Sequence, residues 1–269
     1  MSSTSNPVAA QELKSPYVSS VGSGTVLPKF KTEEKFELYQ TPHPSYTPPQ
    51  AQAFPGSQEN VVLECDKMPA ASRYPLMISA IVPRPIALVT SQSEAGINNC
   101  SPFSYFNVIC HDPPTLIVSC NYNRDGTAKD SLRNILTTKD FVVSIMSEWY
   151  IESSNYTCGN FKYGDDEMKA AGMEVHPSKL INPPTPAASA FSMECRLEST
   201  YDLKSEDGSG RMSTTMVIAR ILAFCIKKDV LKEDGTLDME KYAPIARLGG
   251  IQYGRVTQGF ELPRPYFKH

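Results

Sequence analysis

The sequence predicts a mainly β fold: a closed antiparallel barrel with short helical decorations, behind a proline-rich N-terminal extension. Three observations predict it. Apolar, strand-like runs outnumber helix-like ones and do not alternate with them regularly. The helix-like segments are few and short. Eight of the 22 prolines fall in the first 60 residues, where Ser, Thr and Gln fill much of the remainder and periodicity is poor.

Residues 1–60 therefore read as an extended tail, either disordered or laid across a partner subunit. A short strand or helical turn is expected around Glu33–Tyr39. From Val61 the texture changes, and 61–269 reads as one domain. Pro85–Ser91 is a compact strand. Glu94–Asn99 carries Ala95-Gly96 and reads as a turn. Phe103–Ile109 is apolar and aromatic and reads as a strand, closed by His111-Asp112-Pro113-Pro114. Thr115–Asn121, Phe141–Met146, Ser192–Thr200 and Met212–Ile226 continue the series. In the last, Met216, Ile218, Leu222, Phe224 and Ile226 share one face and Val217, Ala219, Ile221, Ala223 and Cys225 the other. A strand apolar on both faces is expected to be buried on both, as a barrel wall that also packs against a helix or a second subunit.

Three short helices are expected. Thr127–Leu136 has Thr127 as its N-cap and Asp130 three residues on. Glu148–Thr157 and Asp165–Ala171 are the others, the second stopped by Gly172.

Composition narrows the function classes. Of 269 residues, 41% are hydrophobic and 20% charged, which supports a packed core. The net charge of −3 comes without a basic stripe, so nucleic acid is not an expected partner. There is no apolar leader behind basic residues and no run of 18 apolar residues, so neither secretion nor a membrane span is expected. Seven cysteines without a CxxC spacing read as buried, reduced thiols and place the protein in the cytoplasm. No metal site is expected, because no two of the four histidines have ligand spacing. GxGxxG after a strand, GxxxxGK[ST] and GxSxG are all missing.

Three segments carry chemistry, and each fits recognition of a phosphorylated planar ring. At the start of the Thr127–Leu136 helix, free N–H groups and the positive end of the helix dipole favour an anion. Lys129 adds a charge and Ser131 a hydroxyl there, and Arg124 upstream could clamp a phosphate. In Ser101–Asn107, hydroxyl residues alternate with aromatics, giving donors beside apolar walls. In Val82–Pro85, two prolines stiffen a corner beside Arg84, and Thr90 or Ser91 on the following strand can hydrogen-bond a ring. Each segment alone also fits a structural role: a solvated helix, an aromatic core strand, a rigid strand entry.

In series they are more specific. PRPIALVTS, NNCSPFSYFN, DPPTLIVSC, RDGTAKDSLRNI and FVVSI, in that order, resemble the flavin reductase-like family with its FMN-binding split barrel, in particular the flavoredoxin-like branch. The resemblance runs from about Pro69 to Gly254 and leaves the N-terminal extension outside. It implies a homodimer with one FMN per subunit near the interface. It also implies that Ser101, Pro102, Phe103, Ser104, Tyr105 and Phe106 touch phosphate and isoalloxazine. Lys129, Asp130, Ser131 and Asn134 would line the phosphate and ribityl side, with Asp130 as a helix cap. Arg84 and Thr90 would sit near the ring or its tail, and Arg247 and Tyr253 near the flavin or a second substrate. Ser131 stands where the family carries Thr, which keeps the hydroxyl. No catalytic side chain is singled out, because hydride acceptance belongs to the flavin. Three activities stay open: an NAD(P)H-dependent flavin reductase, an FMN-holding electron carrier, and a flavin-dependent tailoring oxidoreductase for one small substrate.

Overall fold

The computed structural model describes residues 35–267. The first 34 residues of the expected tail lie outside them. In chain order the elements are β1 (Glu37–Tyr39), α1 (Ala70–Ala80), β2 (Ala87–Gln92), β3 (Asn98–Phe103), β4 (Phe106–His111) and β5 (Pro114–Asn121). Then come α2 (Asp130–Thr138), β6 (Asp140–Ile145), α3 (Ile151–Tyr156), α4 (Glu167–Ala170), β7 (Val175–His176) and β8 (Thr185–Pro186). The chain ends with β9 (Phe191–Lys204), β10 (Met212–Ile226), α5 (Met239–Tyr242), β11 (Ile245–Arg247), β12 (Tyr253–Arg255) and β13 (Gln258–Phe260).

Seven strands form one sheet in the order β3-β2-β6-β9-β10-β5-β4, and every ladder is antiparallel. Alternate residues along each strand set the inner face of the sheet. Ala87 and Val89, Leu116 and Val118, Phe141 and Val143, Met193 and Cys195, and Val217 and Ala219 meet in one buried cluster. Leu132 and Ile135 of α2 join it and are fully buried, worth about 1.5–3 kcal/mol each. The outer face of β2 is buried as well, where Ile86, Leu88 and Cys100 pack with Met146, Tyr150, Met168 and Ile245.

The expectation of a closed barrel needs correction. β3 and β4 are the two edges of the sheet, and no ladder joins them. The chain bends at Ser104-Tyr105: β4, paired to β5, follows the expected strand Phe103–Ile109, whereas β3, paired to β2, was not foreseen and begins inside the expected turn Glu94–Asn99. The seam is thus bridged by the covalent chain rather than by hydrogen bonds.

β10 also departs from expectation. Val217, Ala219 and Ile221 are buried, but the opposite face is only half-buried and Phe224 is 54% exposed.

β1 pairs in parallel with β13, giving the expected short strand near Tyr39. Residues 40–64 are irregular and almost entirely exposed. Helix α1 was not foreseen. It carries Pro75 in its interior and only Ile78 of its residues is buried, so it shows little amphipathic signal. No helix among the described residues is long and apolar enough to cross a membrane.

Candidate functional site

Helix α2 is built differently at its start from what the sequence suggests. The run Asp125-Gly126-Thr127 folds into its own turn, with Gly126 at φ 84°. The Thr127 backbone N–H and hydroxyl both donate to Asp125 Oδ1, at 2.9 and 2.6 Å. The helix begins at Asp130 instead, and its N-cap, Lys129, offers no side-chain acceptor. Thr127 is therefore not the cap. The first-turn N–H groups stay without a capping side chain, at the positive end of the helix. They open onto a cleft of about 420 Å³ lined by Ser101, Lys129, Asp130, Ser131, Arg133 and the 157–163 loop. Lys129 is exposed and has no ion-pair partner among the described residues. Arg133 lies 4.2 Å over the Tyr163 ring on the cleft wall. Arg124 is exposed and lines none of the cavities described here.

The cleft floor is a buried polar network. Asn99 Oδ1 accepts from the Ser131 hydroxyl at 2.7 Å and from the Ser91 hydroxyl at 3.2 Å. Asn134 Nδ2 donates to Ser91 Oγ at 3.2 Å. Asn99 Nδ2 donates to Glu167 Oε2 at 2.7 Å, and the Cys100 N–H donates to the same oxygen at 2.6 Å. Ser131 and Asn134, each 2% exposed, thus tie α2 to β2 and β3 through side-chain groups already engaged. Burial pushes the Glu167 carboxyl up to about 7, and the nearby Asp130 charge adds to the shift. Partial burial likewise raises Asp130, opposed by Arg133. The Cys100 thiol is held at about 12 by burial, so it stays neutral.

Two further cavities continue the cleft. One of about 140 Å³ shares Lys129 with it and adds Pro102, Phe103, Ser104, Tyr105, Arg84 and Arg247. The next, an apolar trough of about 380 Å³, shares Arg84, Ser104 and Tyr105 and adds Pro83, Pro85, Phe106 and Ile117. The segment Ser101–Phe106 therefore runs along the whole furrow, from the helix N-terminus to the apolar end.

Arg84 anchors this middle section. It is 7% exposed, and no carboxylate among the described residues pairs with it. Its guanidinium donates to the carbonyls of Ile78 at 2.6 Å and Leu248 at 2.9 Å, and also to that of Ile81. A cation is thereby set at the C-terminal end of α1. Its backbone exchanges hydrogen bonds with Arg247, so the two arginines are neighbours across a bridge. The Arg247 guanidinium lies 4.4 Å over the Tyr253 ring and donates to the Gly250 carbonyl.

Of the residues singled out in the sequence, Arg84, Ser101, Pro102, Phe103, Ser104, Tyr105, Phe106, Lys129, Asp130, Ser131 and Arg247 all line the furrow. Asn134 sits behind it, at a small recess beside Tyr163. Thr90 is fully buried against Cys100 and reaches none of these cavities. The Tyr253 hydroxyl donates to Asn155 Oδ1 at 2.8 Å, away from the furrow. Asn99 and Glu167 were not singled out. They are 68 residues apart, and no local pattern links them.

Known proteins share this fold. A family model described as "Flavin reductase like domain" matches residues 78–246. The crystal structure of nitrilotriacetate monooxygenase component B from Bacillus cereus is similar at 30% identity and a TM-score of 0.73, covering 77% of this chain and 100% of that one. The 2-nitrobenzoate 2-nitroreductase NbaA of Pseudomonas fluorescens is similar at 28% identity and a TM-score of 0.67, covering 78% and 98%. At 17% identity, the fold alone is shared with a flavin reductase-type split-barrel protein of Shewanella frigidimarina, with a TM-score of 0.61 and coverage of 76% and 96%.

Proposed function

Because the chain belongs to the flavin reductase-like domain family, we propose that it holds FMN along the furrow and serves as an NAD(P)H-dependent flavin oxidoreductase. One observation carries the reading. An uncapped helix N-terminus and a lysine with no ion-pair partner among the described residues open at one end of a furrow whose other end is an apolar trough. That polarity suits a phosphate at one end and a planar heterocycle at the other.

The residues fit such a group. The first-turn N–H groups of α2 and Lys129 would hold the phosphate, with Ser101 beside them. Ser104 and the backbone of 102–105 would meet the ribityl chain and the polar ring edge. Tyr105, Phe106 and Ile117 would wall the ring, and Arg84 would keep Ser104 in place at 3.4 Å. When bound, FMN supplies hydride acceptance at its N5. The chain's own part is to bind, orient and exclude water. No side-chain base is required for that step.

On this reading the protein is a cytoplasmic homodimer. The exposed apolar residues of β4, Val108 at 61% and Ile109 at 51%, support a second subunit, as do the exposed Met77 and Ile81 on the rim of the trough. The nitroreductase likeness supports a second reading, in which the reduced flavin acts on one small organic substrate.

The purified protein is expected to take up FMN with a flavin absorption band and to be bleached anaerobically by NADH or NADPH. No FMN uptake on titration sinks the binding. Uptake without bleaching by either nucleotide sinks the reductase and leaves an electron carrier.

A further inference from the structure

Glu167 is the first residue of α4, whose N-cap Asp166 accepts from the Lys169 N–H. The side chain points under β3 and is 6% exposed. Its Oε2 accepts from Asn99 and from the Cys100 N–H. Its Oε1 has no hydrogen-bond partner among the described residues and is not sealed from solvent, and the residue lines the 420 Å³ cleft. A nearly buried carboxyl thus offers one free oxygen to the same cleft into which the α2 N-terminus and Lys129 open. An ionised carboxylate there would repel an anion bound by those groups.

We propose that Glu167 joins anion binding in this cleft as the neutral acid, its free oxygen donating an O–H to a phosphate oxygen, so that a flavin phosphate ester binds with uptake of a proton. The proton comes from solvent, resides on Oε1 and is shared with the phosphate. No covalent bond is made or broken.

The surroundings favour the neutral form. Asp130 of α2 and Asp166 of α4 both face Glu167 and raise its affinity for a proton. Cys100 of β3 stays a neutral thiol. Tyr163 on the loop beside α4 is covered by Arg133. Lys129 and Arg133, the cations of α2 on the cleft, would face the phosphate and compensate its charge rather than that of Glu167. The two donors to Oε2 fix the carboxyl so that only Oε1 can turn to a ligand.

The inference rests on the FMN reading, and the test separates the two. FMN and riboflavin affinities are measured by flavin fluorescence between pH 6 and 8.5, for the native protein and for Glu167→Gln. Glutamine keeps an acceptor for Asn99 and Cys100 and places a permanent donor on the cleft side. The wild-type-to-variant ratio of FMN Kd is expected to stay flat below pH 6.5 and to rise about tenfold or more by pH 8.5, since each pH unit above the free-state pKa costs about a decade. The ionisation of FMN itself cancels in that ratio. The ratio for riboflavin, which lacks phosphate, stays flat. Calorimetry at pH 7.5 in buffers of different ionisation enthalpy should show proton uptake by the native protein in excess of that by the variant. A flat FMN ratio, equal proton uptake, or the same rise with riboflavin overturns the proposal alone. Failure of the native protein to bind FMN at any pH overturns the FMN reading and this proposal with it.

Discussion

Replacing Asn99 should unfasten the cleft floor. Its side chain is 6% exposed and makes three contacts: it accepts from Ser131 at 2.7 Å and from Ser91 at 3.2 Å, and it donates to Glu167 at 2.7 Å. The bond to the carboxyl is worth about 1.5–3 kcal/mol, and the two hydroxyl contacts about 1 kcal/mol each, the longer one less. Asn99→Ala removes all three contacts, so the expected loss is about 3–5 kcal/mol. Urea denaturation followed by tryptophan fluorescence would read this as a lower midpoint with an unchanged slope. Asn99→Asp sharpens the test. Aspartate still accepts from both serines but faces Glu167 with a second carboxyl. That variant should approach the native protein at pH 5, where a proton is shared, and fall well below it at pH 8. A loss under 1 kcal/mol for the alanine variant, or no pH dependence for the aspartate variant, would refute the network as a support of the fold.

Other consequences can be checked separately. Lys129→Ala is expected to weaken FMN about 10- to 150-fold, one charge-assisted contact of about 1.5–3 kcal/mol, with a shallower dependence on salt. Ser131→Ala should leave FMN affinity within about threefold and lower stability by about 1–2 kcal/mol, because its hydroxyl serves Asn99; a larger affinity loss would return Ser131 to direct phosphate contact. Without ligand, the raised Glu167 pKa means that the folded state holds this proton more tightly than the unfolded state does. Its stabilising effect is full below the ordinary value of 4.5 and is lost as pH rises to about 7. Relative to Glu167→Gln, the native protein should therefore lose about 2–3 kcal/mol between pH 5 and 8 in urea titrations; parallel curves would contradict the shift. For the proposed homodimer, Ile109→Lys on β4 is expected to lower the sedimentation coefficient to that of a monomer; a native protein that sediments as a monomer refutes the dimer, and an unchanged dimer refutes this interface.

The family motifs and most strands were legible in the sequence for a simple reason. β2, β5, β6, β9 and β10 each hold an apolar run of strand length bounded by turn or polar residues. Their ends match the expected ones to within a few residues, β10 at both ends. The furrow segment Ser101–Phe106 was likewise readable, since hydroxyl and aromatic residues alternate within one short run. Helix α1 was not, because most of its residues stay exposed and Pro75 interrupts the pattern.

Sequence alone therefore determined most of the local parts: which apolar runs become strands, with β3 as the exception, and that the start of α2 carries a cation. A local turn set the start of α2: Thr127 folds back on Asp125, two residues earlier, and the helix begins at Asp130 with its first-turn N–H groups free of a capping side chain. Tertiary structure decided two things that no local pattern could. The sheet stays open between β3 and β4, because one bent segment gives each half its own partner. Asn99 meets Glu167 across 68 residues, so that a carboxyl ordinary in sequence becomes a buried, proton-holding group at the cleft. Backbone preference and side-chain periodicity are properties of neighbours in the chain, whereas desolvation and long-range hydrogen bonding exist only once the fold has brought distant residues together.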